Sequence, residues 1–465
     1  MSDLQLTFHG AAGQVTGSMH LLECCGMRLL LDSGLFQGHR KEAAELNHDL
    51  KFDPRRIDMV VVSHAHIDHT GRLPLLVNRG FHGPIYATPA TRDLCAVMLA
   101  DAAHIQEMDF EYVQRHGKAA PESEPLYTMR DAVATQELMT AVPYHRAQHL
   151  RKNLIMEYSD AGHILGSASI ELRITEGKQH RLVFSGDIGR WGLPIIRDPQ
   201  PPGGPVDTLI IESTYALRTH ESPVGSEEKL GEIVSRVVGR GGKVLIPAFA
   251  VGRTQEIIYA LHGLMRTNRI PRVPIYVDSP LAVESTTVFR MHPEIFDTSE
   301  SMVKADQPLF DFSSVHYTRD VQDSKRLNTL NGPAIIISAS GMVEAGRILH
   351  HVKNHGGDHR NCILFVGYQA EGTLGRRIRD GERKIRVFGE EMELRAEVES
   401  IDGYSAHADQ NELRKWVRML GGPIKRAFCV HGDPDALEGM ARLLKEEGVE
   451  DVHVPRLYET FDLRQ

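Results

Sequence analysis

At 465 residues, with 41% hydrophobic and 25% charged side chains, the chain has the composition of a soluble globular protein and is too long for one ordinary core, so two or more domains are expected. A formal net charge of −9, from 53 Lys plus Arg against 62 Asp plus Glu, excludes a surface coated in basic residues for non-specific nucleic-acid binding, though not a local cationic cleft. No apolar run is long enough to span a membrane, the opening MSDLQLTFHG lacks the basic and apolar regions of a signal peptide, and Cys24, Cys25, Cys95, Cys362 and Cys429 form no CxxC pair, so a cytoplasmic protein with reduced thiols is expected.

In chain order, the first two hundred residues read as short strands closed by glycines: LQLTFHG, GSMHLLECCGMRLLLDSG, MVVVSHAH, GPIYATPA, LIMEYSDAGH, SIELRIT and RLVFSGDIG. Between them, TRDLCAVMLADAAHIQEMDFEYVQ has helical spacing, and the polar residues 117–125 read as a loop. From about Thr208 apolar strands alternate with amphipathic helices: DTLIIEST before SEEKLGEIVSRVVGRG, KVLIPAF before RTQEIIYALHGLMRTN, then VPIYVDSP and GPAIIISASG. That rhythm predicts a parallel α/β sheet. Near Lys384 the chain returns to β character and ends with a helix and strands around RAFCVHGD. One β-rich domain interrupted by an inserted α/β domain accounts for this order.

Residues 57–71, IDMVVVSHAHIDHTG, set His64, His66, Asp68 and His69 within six residues directly after an apolar run. In a buried core each imidazole or carboxylate would need its own partner, so a shared cation is expected. His64 and His66 stand two apart where a strand ends and can aim at one point, while Asp68 and His69 face a second point nearby. Imidazole and carboxylate suit zinc, with manganese or iron as alternatives, and the HxHxDH spacing differs from the HExxH of a one-metal protease. Asp32 in LLLDSG, His163 in SDAGHILGSAS and Asp187 in VFSGDIGR have similar strand-end contexts beside glycines. Each alone reads equally well as a turn-capping aspartate or a hydrogen-bonded histidine; together with HxHxDH they extend the metal site. GRGGKV near Lys243 is not a phosphate-binding P-loop, and no GxSxG elbow supports a serine hydrolase.

The series LLLDSG, SHAHIDH, DAGH and SGD resembles the signature of the metallo-β-lactamase superfamily. LIIESTY with Glu212, GYSAHAD with His407 and VHGD with His431 are similar to motifs A, B and C of its β-CASP nucleases, as are PAFAVGRTQE and SASGM to other family segments. The resemblance implies a metallo-β-lactamase αβ/βα sandwich over 1–210 and 391–465, interrupted by a β-CASP α/β domain with a mainly parallel sheet over 211–390. It also implies two Zn²⁺ ions, one held by His64, His66, His163 and Asp187 and the other by Asp68, His69, His431 and the same Asp187. Asp32 would orient ligands from behind. Such ions would share a water, lower its pKa and neutralise charge on a phosphate under attack. Catalysis would involve Asp68 and would use His407, supported by Glu212, to protonate the leaving oxygen. Ser338, Ser340, Gly341 and Arg253 would contact phosphate.

The function so implied is metal-dependent hydrolysis of single-stranded RNA, as in the endonuclease subunit of the cleavage and polyadenylation specificity factor and its prokaryotic relatives. Internal cutting is expected over 5′-to-3′ exonuclease action, because the RNase J branch carries an added C-terminal domain and this chain stops about 34 residues after His431. The alternatives are a small-substrate metallo-hydrolase, which the inserted domain disfavours, a DNA-directed relative, which His431 disfavours, and a non-catalytic RNA-processing subunit, which the complete ligand set disfavours. Dimerisation is common in such proteins, so a homodimer is a candidate assembly.

Overall fold

The apolar run between Gly17 and Gly34 becomes a hairpin, His20–Cys24 paired antiparallel with Met27–Leu31. Its two-residue turn, Cys25 and Gly26, has φ of 55° and 71°, the mirror-image turn whose twist matches that of the strands. The computed structural model describes residues 4–38, 40–115, 124–297 and 309–464, so the loop expected at 117–125 falls largely outside the described residues. Within them the chain divides into two compact units, one of residues 1–191, 198–219 and 407–465, the other of 192–197 and 220–406.

The first unit is a sandwich of two seven-stranded sheets. One sheet runs, edge to edge, Thr460–Asp462, Gln5–Phe8, His20–Cys24, Met27–Leu31, Met59–Val61, Ile85–Ala87, Met139–Ala141. The other runs Asp451–His453, Ile424–Val430, Val206–Glu212, Lys178–Phe184, Ala168–Glu176, Leu154–Asp160, Gln148–Arg151. Alternate residues of both, including Leu6, Phe8, Leu29 and Val61 from the first and Tyr158, Leu172, Phe184, Ile210 and Phe428 from the second, interdigitate in one buried core. On the outer face of the second sheet, Leu209, Ile211, Ala427 and Cys429 pack against Leu413 and Trp416 of helix Gln410–Met419 and Leu437, Met440 and Leu444 of helix Pro434–Glu446. Helices Leu73–Asn78, Pro89–Arg115 and Met129–Leu138 associate beside the first sheet. Helices therefore flank paired sheets, the expected αβ/βα sandwich.

The second unit is built on a six-stranded sheet in which every pairing is parallel, ordered Val315–Tyr317, Ile275–Val277, Ala334–Ser338, Lys243–Pro247, Cys362–Phe365, Glu397–Ser400. Its central strands are apolar between Lys243 at the start of one and Ser338 at the end of another, as parallel sheets with helices on both faces require. Leu245, Ile336, Ile363 and Phe365 meet Ile348 and Val352 of helix Ile348–His355 on one of them. The β character near Lys384 belongs to this unit. Lys384–Val387 and Glu390–Glu393 form a small hairpin, and Glu397–Ser400 joins the sheet edge in parallel; the contact pattern returns to the first unit at His407.

Candidate metal centre

Three parallel neighbours of the second sheet, Lys178–Phe184, Val206–Glu212 and Ile424–Val430, deliver Asp187, Glu212 and His431 from their carboxyl ends. Strand Met59–Val61 leads into Ser63 and His64, and the chain then makes a one-turn helix, Ile67–Thr70, that carries Asp68 and His69 with His66 at its start. His163 follows strand Leu154–Asp160, and His407 precedes helix Gln410–Met419. Strand ends and loops on a rigid scaffold thus gather nine chemically active side chains.

Two ligand-like groups result. In the first, His64 Nε2 and His163 Nε2 lie 3.4 and 3.6 Å from Asp187 Oδ2, and 3.1 and 3.2 Å from His66 Nδ1. In the second, His431 Nε2 is 3.4 Å from Asp68 Oδ2, while His69 Nε2 and His431 Nε2 are 3.3 and 3.8 Å from Asp187 Oδ1. Ligand atoms bound tetrahedrally at zinc distances stand about 3.3 Å apart, so both groups have the spacing of a coordination shell. His69 Nε2, His431 Nε2 and Asp187 Oδ1 are buried with no hydrogen-bond partner among the described residues, although all three converge. Groups buried this way are stable when a cation accepts their lone pairs. The residues fit a divalent metal in the first group, which includes Asp187, and another in the second, whose His69 and His431 also face Asp187 Oδ1.

Side chains behind the ligands fix their orientation. Asp32, fully buried, accepts from Ser63 N at 2.7 Å, Ser63 Oγ at 2.9 Å and Ser18 Oγ at 3.1 Å, and faces His69 Nδ1 at 2.7 Å. That leaves His69 Nε2 to point inward. Thr214 Oγ1 lies 3.1 Å from His431 Nδ1 and does the same there. Glu212 accepts from Ile188 N at 2.6 Å and Thr214 N at 3.3 Å and stands 3.3 Å from His407 Nδ1, which is itself 4.0 Å from Asp187.

Burial drives the His64 pKa well below the ordinary histidine value and His66 to about 4, so both are neutral ligands at pH 7. Burial also works against charging His69, yet the Asp187 and Asp32 carboxylates hold its pKa well above the ordinary value. His431 is raised in the same way by Asp187 and by the Asp68 carboxylate 3.4 Å away. Burial disfavours an ionised Asp187, but the surrounding His431, His69 and His64 keep its carboxyl well below the usual range. For His407, burial is outweighed by Glu212, and its pKa is pushed up to about 9.

The structure brings His64, His66, Asp68, His69, His163, Asp187, Glu212, His407 and His431 together, with Asp32 behind His69. The phosphate-contact candidates lie in the second unit. There Ser338 is buried and donates to the Asp278 carbonyl at 2.8 Å, so its proton is already used. Arg253 is nearly buried and paired with Glu256. Ser340 Oγ accepts from Glu344 N and Ala345 N at 3.2 and 3.3 Å. Sequence reasoning missed Ser18, Ser63 and Thr214, and also Gly34 and Arg72, which seat the metal loop. The only advance signal was adjacency to a motif.

Two consequences can be measured. A Cβ at Gly34 would stand 1.6 Å from the Asp68 carbonyl oxygen, so Gly34→Ala must displace the loop carrying Asp68 and His69. The variant is expected to lose about 1–3 kcal/mol in urea unfolding of metal-free protein and to retain less metal by elemental analysis; wild-type values in both would refute this placement. Second, His69 and His431 have raised pKa values in the metal-free fold and keep their protons until the pH rises past them, and a ligand must lose that proton. Zinc binding at pH 7 should therefore release protons, and affinity should weaken as pH falls. Calorimetric titrations in buffers of different ionisation enthalpy test this, since identical heats would mean no release.

Residues 13–126 match the Metallo-beta-lactamase superfamily, 254–378 the Beta-Casp domain, and 391–455 the Zn-dependent metallo-hydrolase RNA specificity domain. The chain is 38% identical to Ribonuclease TTHA0252 of Thermus thermophilus, over 95% of this chain and 96% of that protein. It is 31% identical to Transcription termination factor FttA of Cenarchaeum symbiosum, over 99% of this chain and 71% of the relative. A crystal structure of a protein of unknown function from Enterococcus faecalis V583 superposes with a TM-score of 0.54 at 12% identity, covering 99% of each chain, a likeness of fold alone. With the inserted second unit and the histidine–aspartate cluster of the first, these likenesses establish that the chain belongs to the β-CASP family of the metallo-β-lactamase superfamily.

Proposed function

We propose that the protein is a metal-dependent ribonuclease that cuts single-stranded RNA internally. The observation that carries this reading is the convergence of His64, His66, His163 and Asp187 beside Asp68, His69 and His431, a cluster suited to paired divalent ions. In this reading the first four residues hold one ion, and Asp68, His69, His431 and the shared Asp187 hold a second. Zinc fits the nitrogen and oxygen donors best, with manganese or iron as alternatives. Bound divalent ions supply an activated water at neutral pH and offset charge on the phosphate.

The chain's own residues do the remainder. Asp32, Ser63 and Thr214 keep the ligand imidazoles in the tautomer that points inward. His407, held by Glu212 and partly open to solvent, carries a proton and passes it to the leaving oxygen. Ser340 and Gly341, with Arg253, receive phosphate, the Ser340 hydroxyl having a proton to give because its oxygen is occupied as an acceptor. RNA is favoured over DNA by the matched RNA specificity domain and by the ribonuclease name of the Thermus thermophilus relative. The relatives named as transcription termination factors favour a second reading of biological role, transcript release, with the same chemistry. A cytoplasmic location is supported by five free thiols, which suit a reducing compartment, and among the described residues no helix is long and apolar enough to cross a membrane.

The deciding assay uses internally labelled single-stranded RNA and DNA of one sequence, with and without chelator. Chelator-sensitive cutting of RNA into internal fragments is expected; progressive loss from one end would replace the internal mode, and cutting of DNA alone would sink the ribonuclease reading. His64→Ala and His431→Ala should each abolish cutting with circular dichroism preserved. His407→Ala should keep its metal and slow turnover by about 10²–10⁴-fold; normal turnover would remove the acid role.

A further inference from the structure

In the second unit, every residue from Val244 to Leu261 is buried except one, Phe249, which is 47% exposed. A lone exposed apolar side chain is ordinarily unremarkable. This one differs in being the largest apolar residue of the turn that follows the central strand Lys243–Pro247, while its small neighbours Ala248 and Ala250 are inside. The ring is also fixed in place. The Phe249 carbonyl accepts from Thr254 N at 3.2 Å and Thr254 Oγ1 at 2.8 Å. A Cβ on Gly341 would stand 3.1 Å from Phe249 Cδ2 and 3.2 Å from its Cε2, so the ring rests on that glycine.

The surroundings are polar and equally fixed. Gly341 and Gln369 follow the two strands flanking Lys243–Pro247, Ala334–Ser338 and Cys362–Phe365, at the carboxyl ends where open parallel sheets take ligands. Gln369 Nε2 donates to the Gly341 carbonyl at 3.0 Å, while its buried Oε1 has no hydrogen-bond partner among the described residues. Arg253, four residues after Phe249 and 9% exposed, likewise has a buried Nε without such a partner.

We propose that Phe249 is a base-stacking platform, on which one nucleobase of a single-stranded RNA lies while its phosphate is received by the Ser340–Gly341 turn and Arg253. This rests on the ribonuclease reading. An aromatic face beside polar and cationic groups is the pairing that single strands require, because every base has a π-face and every nucleotide a phosphate. A ring already immobilised loses little side-chain freedom on binding.

The test compares metal-loaded wild type with Phe249→Ala and Phe249→Trp on a defined single-stranded RNA and on bis(p-nitrophenyl) phosphate, a phosphodiester without a base. Relative to its KM for the small ester, Phe249→Ala should show a KM for RNA raised about tenfold, with kcat changed less than twofold, and Phe249→Trp should restore it. In chelator, RNAs carrying one 2-aminopurine at successive positions should show quenching at one position with wild type and none with Phe249→Ala. A wild-type KM in Phe249→Ala, an equal loss on both substrates, or quenching that persists without the ring overturns the platform. So does a change in sedimentation alone, which would make Phe249 a contact between copies. A wild type that hydrolyses the small ester but neither binds nor cuts RNA overturns the ribonuclease reading, and the platform with it.

Discussion

One buried carboxylate, Asp187, has five imidazoles from four separate segments within 3.3–4.0 Å of its oxygens, and much of the first unit's architecture serves that crowding. Mutually facing lone pairs of this density are unfavourable in a water-poor environment, because each desolvated atom has neighbours that are also seeking a proton or a cation. The metal-free fold meets the demand with protons, which is why His69 and His431 hold theirs so tightly. Divalent ions meet it better, since one cation satisfies several donors at once. The cluster is therefore destabilising as structure and makes sense as chemistry.

Holding such a cluster requires a frame that cannot relax. Three adjacent parallel strands fix the relative heights of Asp187, Glu212 and His431 through their ladder register. The metal loop is held by close backbone packing: Ser18 N donates to the Asp68 carbonyl, Ser33 N to that of His69, and Gly34 lies where only hydrogen fits. Arg72, 1% exposed, locks the arrangement by donating to the Gly34 carbonyl at 2.6 Å and the Leu46 carbonyl at 3.2 Å, over the Phe36 ring. Burial pulls its pKa down to about 9, a measure of how far the guanidinium has been removed from water. Its partners are carbonyls, which leaves the nearby carboxylates to the metal ions.

How much of this the sequence reveals depends on how local the geometry is. His64, His66, Asp68 and His69 are legible because six residues at one strand end place them, and spacing alone implies a cation. Glu212 and His407 are 195 positions apart, so their contact follows from resemblance and not from any pattern in the chain. Thr214 and Ser63 carry no chemical signature as residue types; their roles exist only once His431 and Asp32 are in place. Ser338 also depends on geometry that no local pattern shows. A serine after a parallel strand suits a ligand, but here the strand runs one residue deeper and the hydroxyl turns inward to Asp278.

The acidic balance of the chain then has a local meaning. Asp32, Asp68, Asp187 and Glu212 place four carboxylates in and behind one site, and protons on His69, His431 and His407 offset most of their charge in the metal-free fold. A metal bound among them would take the place of the protons on His69 and His431. Positive charge, whether proton or metal, is therefore concentrated at one place in an otherwise acidic chain. A protein of net charge −9 can in this way hold a nucleic acid without a basic coat, since its long-range field discourages non-specific binding while the loaded site supplies the short-range pull. In this arrangement Asp187, which faces imidazoles of both ligand groups, is the carboxylate on which the cation, or the protons in its place, depend.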